Sequence, residues 1–255
     1  MVSFNKLTVM IGRVRRLSTL VSNRVDHGLR ITLPGGCAFC LGPCPPQAPW
    51  CEACLAALPW NRPACRRCAE PLPPGAPDWC GRCLTSPPAF DGARVGLRYE
   101  AEVITLLQRF KFGADPRAGT LLVALMAREL AALDAAERPE LLIALPRHRR
   151  RAREAGLDTG PWLTARLARS LDLPWTVPQR RRDTPTQRGL DRRARRRNLR
   201  DAFVVGHELP ARVALVDDVM TTGASLGALA AACRAAGAQH VEAWAAARTP
   251  LAAGR

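Results

Sequence analysis

Four regularly spaced Cys-x-x-Cys pairs constrain residues 35–86 more than any other feature constrains this sequence. A Cys-x-x-Cys turn brings two thiolates to one side of a tight turn, and two such turns supply the four ligands of a closed tetrahedral zinc site. The segment has too little apolar sequence to fold alone, so bound metal would supply the folding free energy. We therefore predict two structural zinc sites. Their ligands are Cys37, Cys40, Cys51, Cys54, Cys65, Cys68, Cys80 and Cys83.

The sequence shows the four Cys-x-x-Cys turns directly, but it does not fix which two turns share a metal site. We expect the first pair to join the second and the third to join the fourth, and interleaved pairing stays open. Four thiolates also hold an iron–sulfur cluster, and a redox dithiol needs only one pair, but the ribbon-like spacing favours zinc. Cys44 is expected to be a bystander, and Cys233 lies on a predicted helix and is expected in the core.

Composition indicates a globular protein with anionic partners. Of its 255 residues, 47% are hydrophobic and 24% are charged, which is typical of globular proteins. No apolar run reaches the roughly 18 residues of a membrane-spanning helix or forms an export signal, so we expect a cytoplasmic protein with reduced thiols. The formal charge of +16 favours nucleic acid, phosphorylated metabolites or acidic membrane as partners.

The chain divides into three predicted parts. Residues 1–34 form a basic leader that we expect to be poorly ordered, with a basic amphipathic helix on membrane or nucleic acid as the alternative. Residues 35–86 form the double zinc-ribbon segment. Residues 90–255 alternate between strand and helix patterns, which predicts an α/β domain with a mostly parallel sheet covered on both faces.

The predicted elements of this third part follow its apolar pattern. The predicted strands are 93–99, 141–145, 175–177, 212–216 and 241–246. The predicted helices are 101–110, 117–137, 159–170 and 225–235, and Gly237 stands where the cap of the last helix is expected.

The stretch from Val213 to Ser225 places two acids and a small polar loop between a buried strand and a helix. Ligands of parallel sheets bind at the carboxyl ends of strands. Small residues let backbone N–H groups converge on a phosphate at the start of the helix. The two carboxylates can accept hydrogen bonds from sugar hydroxyls or hold a divalent cation. A helix cap explains only one polar residue, and the Gly-Lys-Ser/Thr ending of a nucleoside-triphosphate loop is missing. The predicted sugar-phosphate site comprises Asp217, Asp218, Val219, Met220, Thr221, Thr222, Gly223, Ala224 and Ser225.

This stretch resembles the phosphoribosyl-pyrophosphate signature of type I phosphoribosyltransferases, and residues 35–250 as a whole resemble the ComF family, also called ComF/GntX. Residues 107–113 are similar to the family's lysine-centred segment, and Leu145–Arg147 falls where its first binding loop lies. Residues 241–249 resemble its last strand. The family's later pattern is matched by Gln187, Leu190, Arg195, Asn198, Ala202 and Phe203.

The resemblance implies a fold, a ligand and a biological role. The fold would be α/β, with a mostly parallel sheet of type I phosphoribosyltransferase kind preceded by a zinc-ribbon segment. The implied ligand is phosphoribosyl pyrophosphate with Mg²⁺. Asp217 and Asp218 would hold the ribose hydroxyls, and Thr221–Ser225, here called the phosphate loop, would hold the 5′-phosphate. The diphosphate or substrate contacts would come from Lys111, Pro146 and Arg147.

One segment departs from the family pattern. Residues 155–159 read Ala-Gly-Leu-Asp-Thr where the family usually has Arg-Gly-Phe-Asn-Gln. An arginine and two amides are therefore missing, which puts the substrate contacts of those positions in doubt.

Basic residues concentrate in 147–200, which holds 17 Arg and 5 acids. They could close over a departing pyrophosphate, follow a nucleic-acid backbone, or form a solvated surface. The family resemblance implies a phosphoribosyltransferase-like protein with an unidentified acceptor, associated with competence and DNA uptake. The alternatives are a non-catalytic single-stranded-DNA-binding or scaffold protein that works with competence proteins and, on the family name alone, a regulator of sugar metabolism.

Overall fold

The computed structural model describes residues 36–45, 48–146, 158–180, 202–206 and 208–251. The chain divides into two units, Met1–Leu58 and Pro59–Arg255. The predicted leader, 1–34, lies outside the described residues, and the predicted part boundaries remain predictions. Within the described ranges, no helix is long and apolar enough to cross a membrane.

The described part of the first unit is a pair of turns and one short helix. Gly36 and Pro43 form an isolated antiparallel bridge, and helix α1 spans Glu52–Ala57. The Sγ atom of Cys51 accepts a hydrogen bond from the backbone N–H of Cys54 and so caps this helix. The local chain direction is set by turns around cysteines rather than by a buried apolar face.

The second unit contains the strands of the described chain. They are β1 Gly92–Arg98, β2 Leu141–Ala144, β3 Trp175–Thr176, β4 Gln179–Arg180, β5 Phe203–Val204, β6 Arg212–Met220 and β7 His240–Arg248. Five of them form a parallel sheet in the order β1-β7-β6-β2-β3, and β4 and β5 form an antiparallel pair. This arrangement confirms the predicted mostly parallel sheet.

The second unit contains five described α-helices. They are α2 Gly81–Thr85, α3 Ala101–Phe112, α4 Pro116–Leu130, α5 Thr159–Leu171 and α6 Ala224–Ala235, with a 3₁₀ helix at Ala135–Glu137. Helix α2 precedes the first strand, and α3 and α4 both lie between β1 and β2. Asp115 caps α4 by accepting hydrogen bonds from two N–H groups of its first turn, which is the usual role of Asp at this position. Gly237 has the positive φ expected of a residue just after a helix.

The core of the second unit lies on both faces of the sheet. Val213, Leu215 and Val241 belong to a buried cluster with Leu229 and Cys233 of α6. Because successive side chains of a strand alternate in direction, the residues between them face the other side, where α4 packs on β1 and β7 and α5 packs on β2 and β6. Burial on two faces explains the near-continuous apolar runs in the sequence.

Two predicted boundaries were wrong. Strand β6 runs to Met220 instead of ending at 216, because Asp217 pairs with Ala245 and Met220 pairs with Arg248 on β7. The two acids, Val219 and Met220 therefore belong to the strand and not to the loop. The helix predicted over 117–137 ends at Leu130, and a separate 3₁₀ turn follows Asp134, which has extended backbone.

Backbone hydrogen bonds join residues 59–66 to the outer edge of β1. The N–H of Asn61 donates to the carbonyl of Gly96 at 2.8 Å, and the N–H of Ala93 donates to the carbonyl of Arg66 at 3.0 Å. An exposed strand edge is a site for unwanted pairing. The polypeptide around the third Cys-x-x-Cys turn covers that edge.

Candidate functional site

The eight paired cysteines form two separate clusters, as predicted. The first cluster is Cys37, Cys40, Cys51 and Cys54, and the second is Cys65, Cys68, Cys80 and Cys83. Within each cluster the sulfur atoms all lie within 4.8 Å of one another. The sequential pairing is therefore confirmed over the interleaved one.

The sulfur geometry fits zinc. A tetrahedral site with Zn–S bonds of about 2.3 Å places its sulfurs about 3.8 Å apart. The Sγ atoms of Cys40 and Cys51 are 3.8 Å apart, and those of Cys68 and Cys80 are 3.6 Å apart. The backbone N–H of Cys80 also donates to the Sγ of Cys65 at 3.3 Å, which favours a thiolate over a neutral thiol.

Electrostatics in the first cluster also favour a cation. Burial opposes ionisation of Cys37, but N–H groups of Cys40, Cys51 and Phe39 hydrogen-bond to its sulfur and lower its pKa to about 6. The pKa of Cys54 rises to about 12, because its thiol is hydrogen-bonded to the sulfurs of Cys51 and Cys40. The cluster therefore forms a first thiolate readily and resists further negative charge unless a metal ion neutralises it.

The two remaining cysteines lie outside these clusters. The thiol of Cys44 donates to the carbonyl of Ala48 at 3.3 Å. Cys233 lies on α6 and is fully buried, which confirms its predicted core position and raises its pKa to about 12. The bystander role of Cys44 stays a prediction.

At the end of β6, Asp218 is the centre of a buried polar group. Its side chain is 5% exposed, and its Oδ1 atom lies 2.7 Å from Nζ of Lys111 at the end of α3. Its Oδ2 atom accepts a hydrogen bond from Oγ1 of Thr159 at 2.9 Å. Lys111, predicted from the family's lysine-centred segment, is thus placed against a predicted ribose-binding acid.

Asp217 lies beside this group and has a different protonation behaviour. Its Oδ1 atom accepts the backbone N–H of Asp218 at 2.8 Å. Burial and the negative charge of Asp218 raise the pKa of Asp217 to about 7, while Lys111 opposes the rise. The carboxyl group of Asp217 therefore changes charge near neutral pH.

Thr159 is a site residue that the sequence reasoning missed. It is the first residue of α5 and lies within the segment that departs from the family pattern. The next residue, Gly160, lies so close to the end of β2 that an added Cβ would sit 2.3 Å from the carbonyl oxygen of Leu145. This close approach is what brings Thr159 to Asp218, and a Thr-Gly pair at a helix start was the only signal in the sequence.

The phosphate loop connects β6 to α6 through a left-handed glycine. Gly223 has φ +73°, and Oγ1 of Thr222 accepts the N–H of Ala224 at 3.3 Å. Thr222, Gly223 and Ala224 line a cavity of about 1090 Å³ that follows the outer face of α6. Asp217 and Asp218 are not among the described residues that line this cavity, so the acids and the loop do not share it.

Arg248 is a second residue that the site prediction missed. It is fully buried at the end of β7, and a charged residue directly after the apolar run 243–247 was the available signal. Its Nη1 atom donates to the carbonyl of Met220 at 3.1 Å and to that of Thr221. Its Nε atom donates to the carbonyl of Cys68 at 3.1 Å.

Several predicted residues fall outside the described part of the chain. Pro146 is described and buried after β2, and Ala202 and Phe203 are also buried. The predicted residues outside the described ranges are Arg147, Gln187, Leu190, Arg195 and Asn198, together with most of the basic stretch between 147 and 200.

The chain is similar to one protein family by sequence and to several solved structures by fold. The double zinc ribbon domain family matches residues 28–84. Among solved structures, orotate phosphoribosyltransferase from Aeropyrum pernix is 21% identical, with 52% of this chain and 61% of that chain covered and a TM-score of 0.34. Purine phosphoribosyltransferase from Pyrococcus horikoshii is 17% identical, with 50% and 80% covered and a TM-score of 0.32.

Curated relatives cover about two thirds of the chain. "Competence protein F" from Haemophilus influenzae is 35% identical over 178 residues, which are 66% of this chain and 78% of that protein. "DNA utilization protein YhgH" from Escherichia coli O157:H7 is 33% identical over 181 residues, which are 67% of this chain and 78% of that protein. The ribbon match and the two clusters together support structural zinc. By these relatives and by the ribbon match, the chain belongs to the ComF family.

Proposed function

We propose that this protein binds phosphoribosyl pyrophosphate at the carboxyl end of β6. The observation that carries the proposal is the contact of Asp218 with Lys111 and Thr159, immediately before the phosphate loop. Burying a charged pair at the end of a strand costs desolvation free energy. Groups held in this way, next to a second acid with a shifted pKa, are typical of ligand sites.

Each part of the site has a proposed role. Backbone N–H groups of the phosphate loop, at the amino end of α6, bind the 5′-phosphate. Asp217 and Asp218 accept hydrogen bonds from the ribose hydroxyls. Lys111 already lies 2.7 Å from Asp218, so its ammonium group is placed to contact anionic oxygens of a donor bound beside that acid.

Mg²⁺ is proposed to enter with the donor. This ion prefers one or two carboxylates together with substrate phosphate oxygens, and the two adjacent acids at the end of β6 fit that preference. Because Asp218 is already held by Lys111 and Thr159, Asp217 is the acid that we assign to the ion or its water shell. The ion would neutralise charge on the pyrophosphate.

The proposed reaction class is displacement of pyrophosphate by an acceptor nucleophile. The bond between ribose C1 and the pyrophosphate oxygen breaks, the pyrophosphate keeps the electron pair, and the acceptor forms the new bond and loses a proton. Orientation and fixed positive charge on the leaving group suffice for such a step. Pyrophosphate release in a screen of acceptor compounds would identify the nucleophile.

Calorimetry with phosphoribosyl pyrophosphate and Mg²⁺ tests the donor site. We expect the wild-type protein to bind and the double variant Asp217→Asn/Asp218→Asn to bind at least about a hundredfold more weakly, because two charge-assisted hydrogen bonds are lost. Asp134→Asn, an exposed acid before the 3₁₀ helix, is the control and should bind normally. Absence of binding to the wild-type protein would contradict the proposal.

Donor binding is also expected to depend on pH. With the pKa of Asp217 raised to about 7, the carboxylate is protonated below that pH and ionised above it. The ionised fraction rises from about 10% at pH 6 to about 90% at pH 8, so binding should strengthen about ninefold over this interval. Asp217→Asn should show only the titration of the ligand's own phosphates. Equal pH dependence in the two proteins would refute this assignment.

Single-stranded DNA binding is a second candidate function. It is favoured by the relatives' names and by the net charge of +16. It is also favoured by Trp79, a residue that is 39% exposed and whose ring centroid lies 5.6 Å from the guanidinium carbon of Arg67. Bases stack on such rings. We expect Trp79→Ala to weaken binding of a labelled oligonucleotide by about fivefold or more, with Trp175→Ala, a similarly exposed Trp, as the control. Binding that is insensitive to salt would rule out backbone contacts.

A further inference from the structure

Arg248 connects the second cysteine cluster to the residues that enter the phosphate loop. Its side chain is fully buried, and its guanidinium donates to the backbone carbonyl of Cys68 on one side. On the other side it donates to the carbonyls of Met220 and Thr221, and it also donates to the carbonyl of Thr249. One planar group thus bridges a metal-ligating residue and the start of the loop.

Glu70 completes the binding of this guanidinium. Its Oε2 atom accepts from Nη2 of Arg248 at 2.6 Å, and its Oε1 atom accepts the N–H of Leu251 at 2.8 Å. Each of the three guanidinium nitrogens of Arg248 therefore donates a hydrogen bond to one of these carbonyls or to this carboxylate. A guanidinium has a rigid arrangement of donors, so its position follows the position of its acceptors.

The turn that carries Cys68 and Glu70 is shaped around the metal ligands. The N–H of Ala69 donates to the carbonyl of Cys65 at 2.7 Å, and the N–H of Cys65 donates to the carbonyl of Glu70 at 2.8 Å. Ala69 has φ +53°, a left-handed conformation that is unfavourable for alanine. Metal ligation by Cys65 and Cys68 would hold this turn closed, because Leu72 is the one described residue other than cysteine that adds apolar packing beside the sulfurs. Ala69 is the one residue of the turn that packs in the core of the sheet.

We propose that Arg248 is a positioning residue that makes the conformation of the phosphate loop depend on metal occupancy of the second cysteine cluster. When the metal leaves and the turn opens, the carbonyl of Cys68 and the carboxylate of Glu70 leave their positions beside Arg248. Glu70 is the one carboxylate among the described acceptors of this guanidinium, and a buried cation without its counter-charge is strongly unfavourable. The guanidinium therefore moves with Glu70 and releases the carbonyls of Met220 and Thr221. That this loop binds a phosphate rests on the proposed function, but the linkage itself does not.

Hydrogen exchange of the zinc-loaded, full-length protein tests the linkage. Cys83→Ser removes a ligand of the second cluster, and Cys54→Ser removes a ligand of the first cluster, so each should retain one zinc by metal analysis. We expect amides of the phosphate loop to exchange at least about tenfold faster in Cys83→Ser than in wild type. Cys54→Ser should match wild type in this loop. Equal loop exchange in the two variants would overturn the proposal.

Arg248→Lys keeps the test decisive if Cys83→Ser does not fold. Lysine retains the charge but cannot reach the same set of acceptors, so the variant should keep both zinc ions and still show faster exchange in the loop. A merely structural role would instead accelerate exchange throughout β7 and α6. A loop that exchanges as in wild type, or a uniform acceleration, would contradict positioning by Arg248.

Calorimetry separates this inference from the proposed function. Cys83→Ser and Arg248→Lys should bind phosphoribosyl pyrophosphate with Mg²⁺ about tenfold more weakly than Cys54→Ser. If no protein, including the wild type, binds the donor, the proposed function fails while the exchange data still decide the linkage. If all bind equally well, the linkage does not reach the ligand and the proposal is overturned.

Discussion

Chelation of zinc from the second cysteine cluster is expected to unfold residues 65–86 while the parallel sheet stays folded. Three of the four cysteines are buried, and Leu72 is the one described apolar residue besides the cysteines in their cluster. Ala69 is the one residue of this segment that packs in the core of the sheet. Burial of one leucine supplies about 1.5–3 kcal/mol, whereas a structural zinc site supplies about 10–16 kcal/mol. The segment therefore depends on the metal, and the sheet, with its own two-sided core, does not.

The measurement is hydrogen exchange together with metal analysis during titration with a chelator. The wild-type protein should begin with two zinc ions per chain, as its two clusters require. Cys65→Ser should carry one zinc ion and should show rapid exchange in residues 65–86 without chelator. Cys44→Ser is the matched control, because Cys44 lies outside both clusters; it should keep both ions and normal protection. A metal-free protein with full protection in this segment would contradict the prediction.

The cysteine clusters could be predicted from sequence because their information is local. Two residues separate the ligands of each turn, and the turns follow one another at short intervals, so spacing identified the eight ligands and favoured sequential pairing, while the structure decided which turns share a cluster. The strand, the two acids and the loop between Val213 and Ser225 were also recognisable, because the residues that form this predicted site are neighbours in the chain. Both predictions rest on short-range geometry.

The contacts of Asp218 could not be predicted in the same way. Lys111 and Thr159 lie on α3 and α5, and only the packing of these helices on the sheet brings them to the acid. The length of β6 likewise depends on how far β7 continues beside it. The position of Arg248 depends on two distant parts of the chain: one contributes the carbonyl of Cys68 and the carboxylate of Glu70, and the other contributes the carbonyl of Met220. Contacts between residues so far apart in the chain leave no periodic pattern in the sequence from which they could be predicted.

Gly160→Ala is expected to disrupt the candidate site more than a substitution on the protein surface would, because the added methyl group pushes α5 away from the end of β2. An added Cβ would lie 2.3 Å from the backbone oxygen of Leu145, and a backbone atom cannot rotate away as a side chain can. Overpacking of this kind costs about 1–3 kcal/mol or more, so we expect a loss of about 3 kcal/mol in the free energy of unfolding. The displaced helix would also carry Thr159 away from Asp218.

Gly227→Ala separates steric conflict from the general effect of adding a methyl group. Gly227 lies within α6, and an added Cβ there would meet nothing within 4 Å, so this variant should gain up to about 1 kcal/mol from helix propensity. Urea denaturation should thus shift in opposite directions for the two variants. Donor binding should fall in Gly160→Ala alone, since only there is the hydroxyl of Thr159 withdrawn from the acid. If Gly160→Ala unfolds and binds as the wild type does, the close contact between α5 and β2 does not position the site.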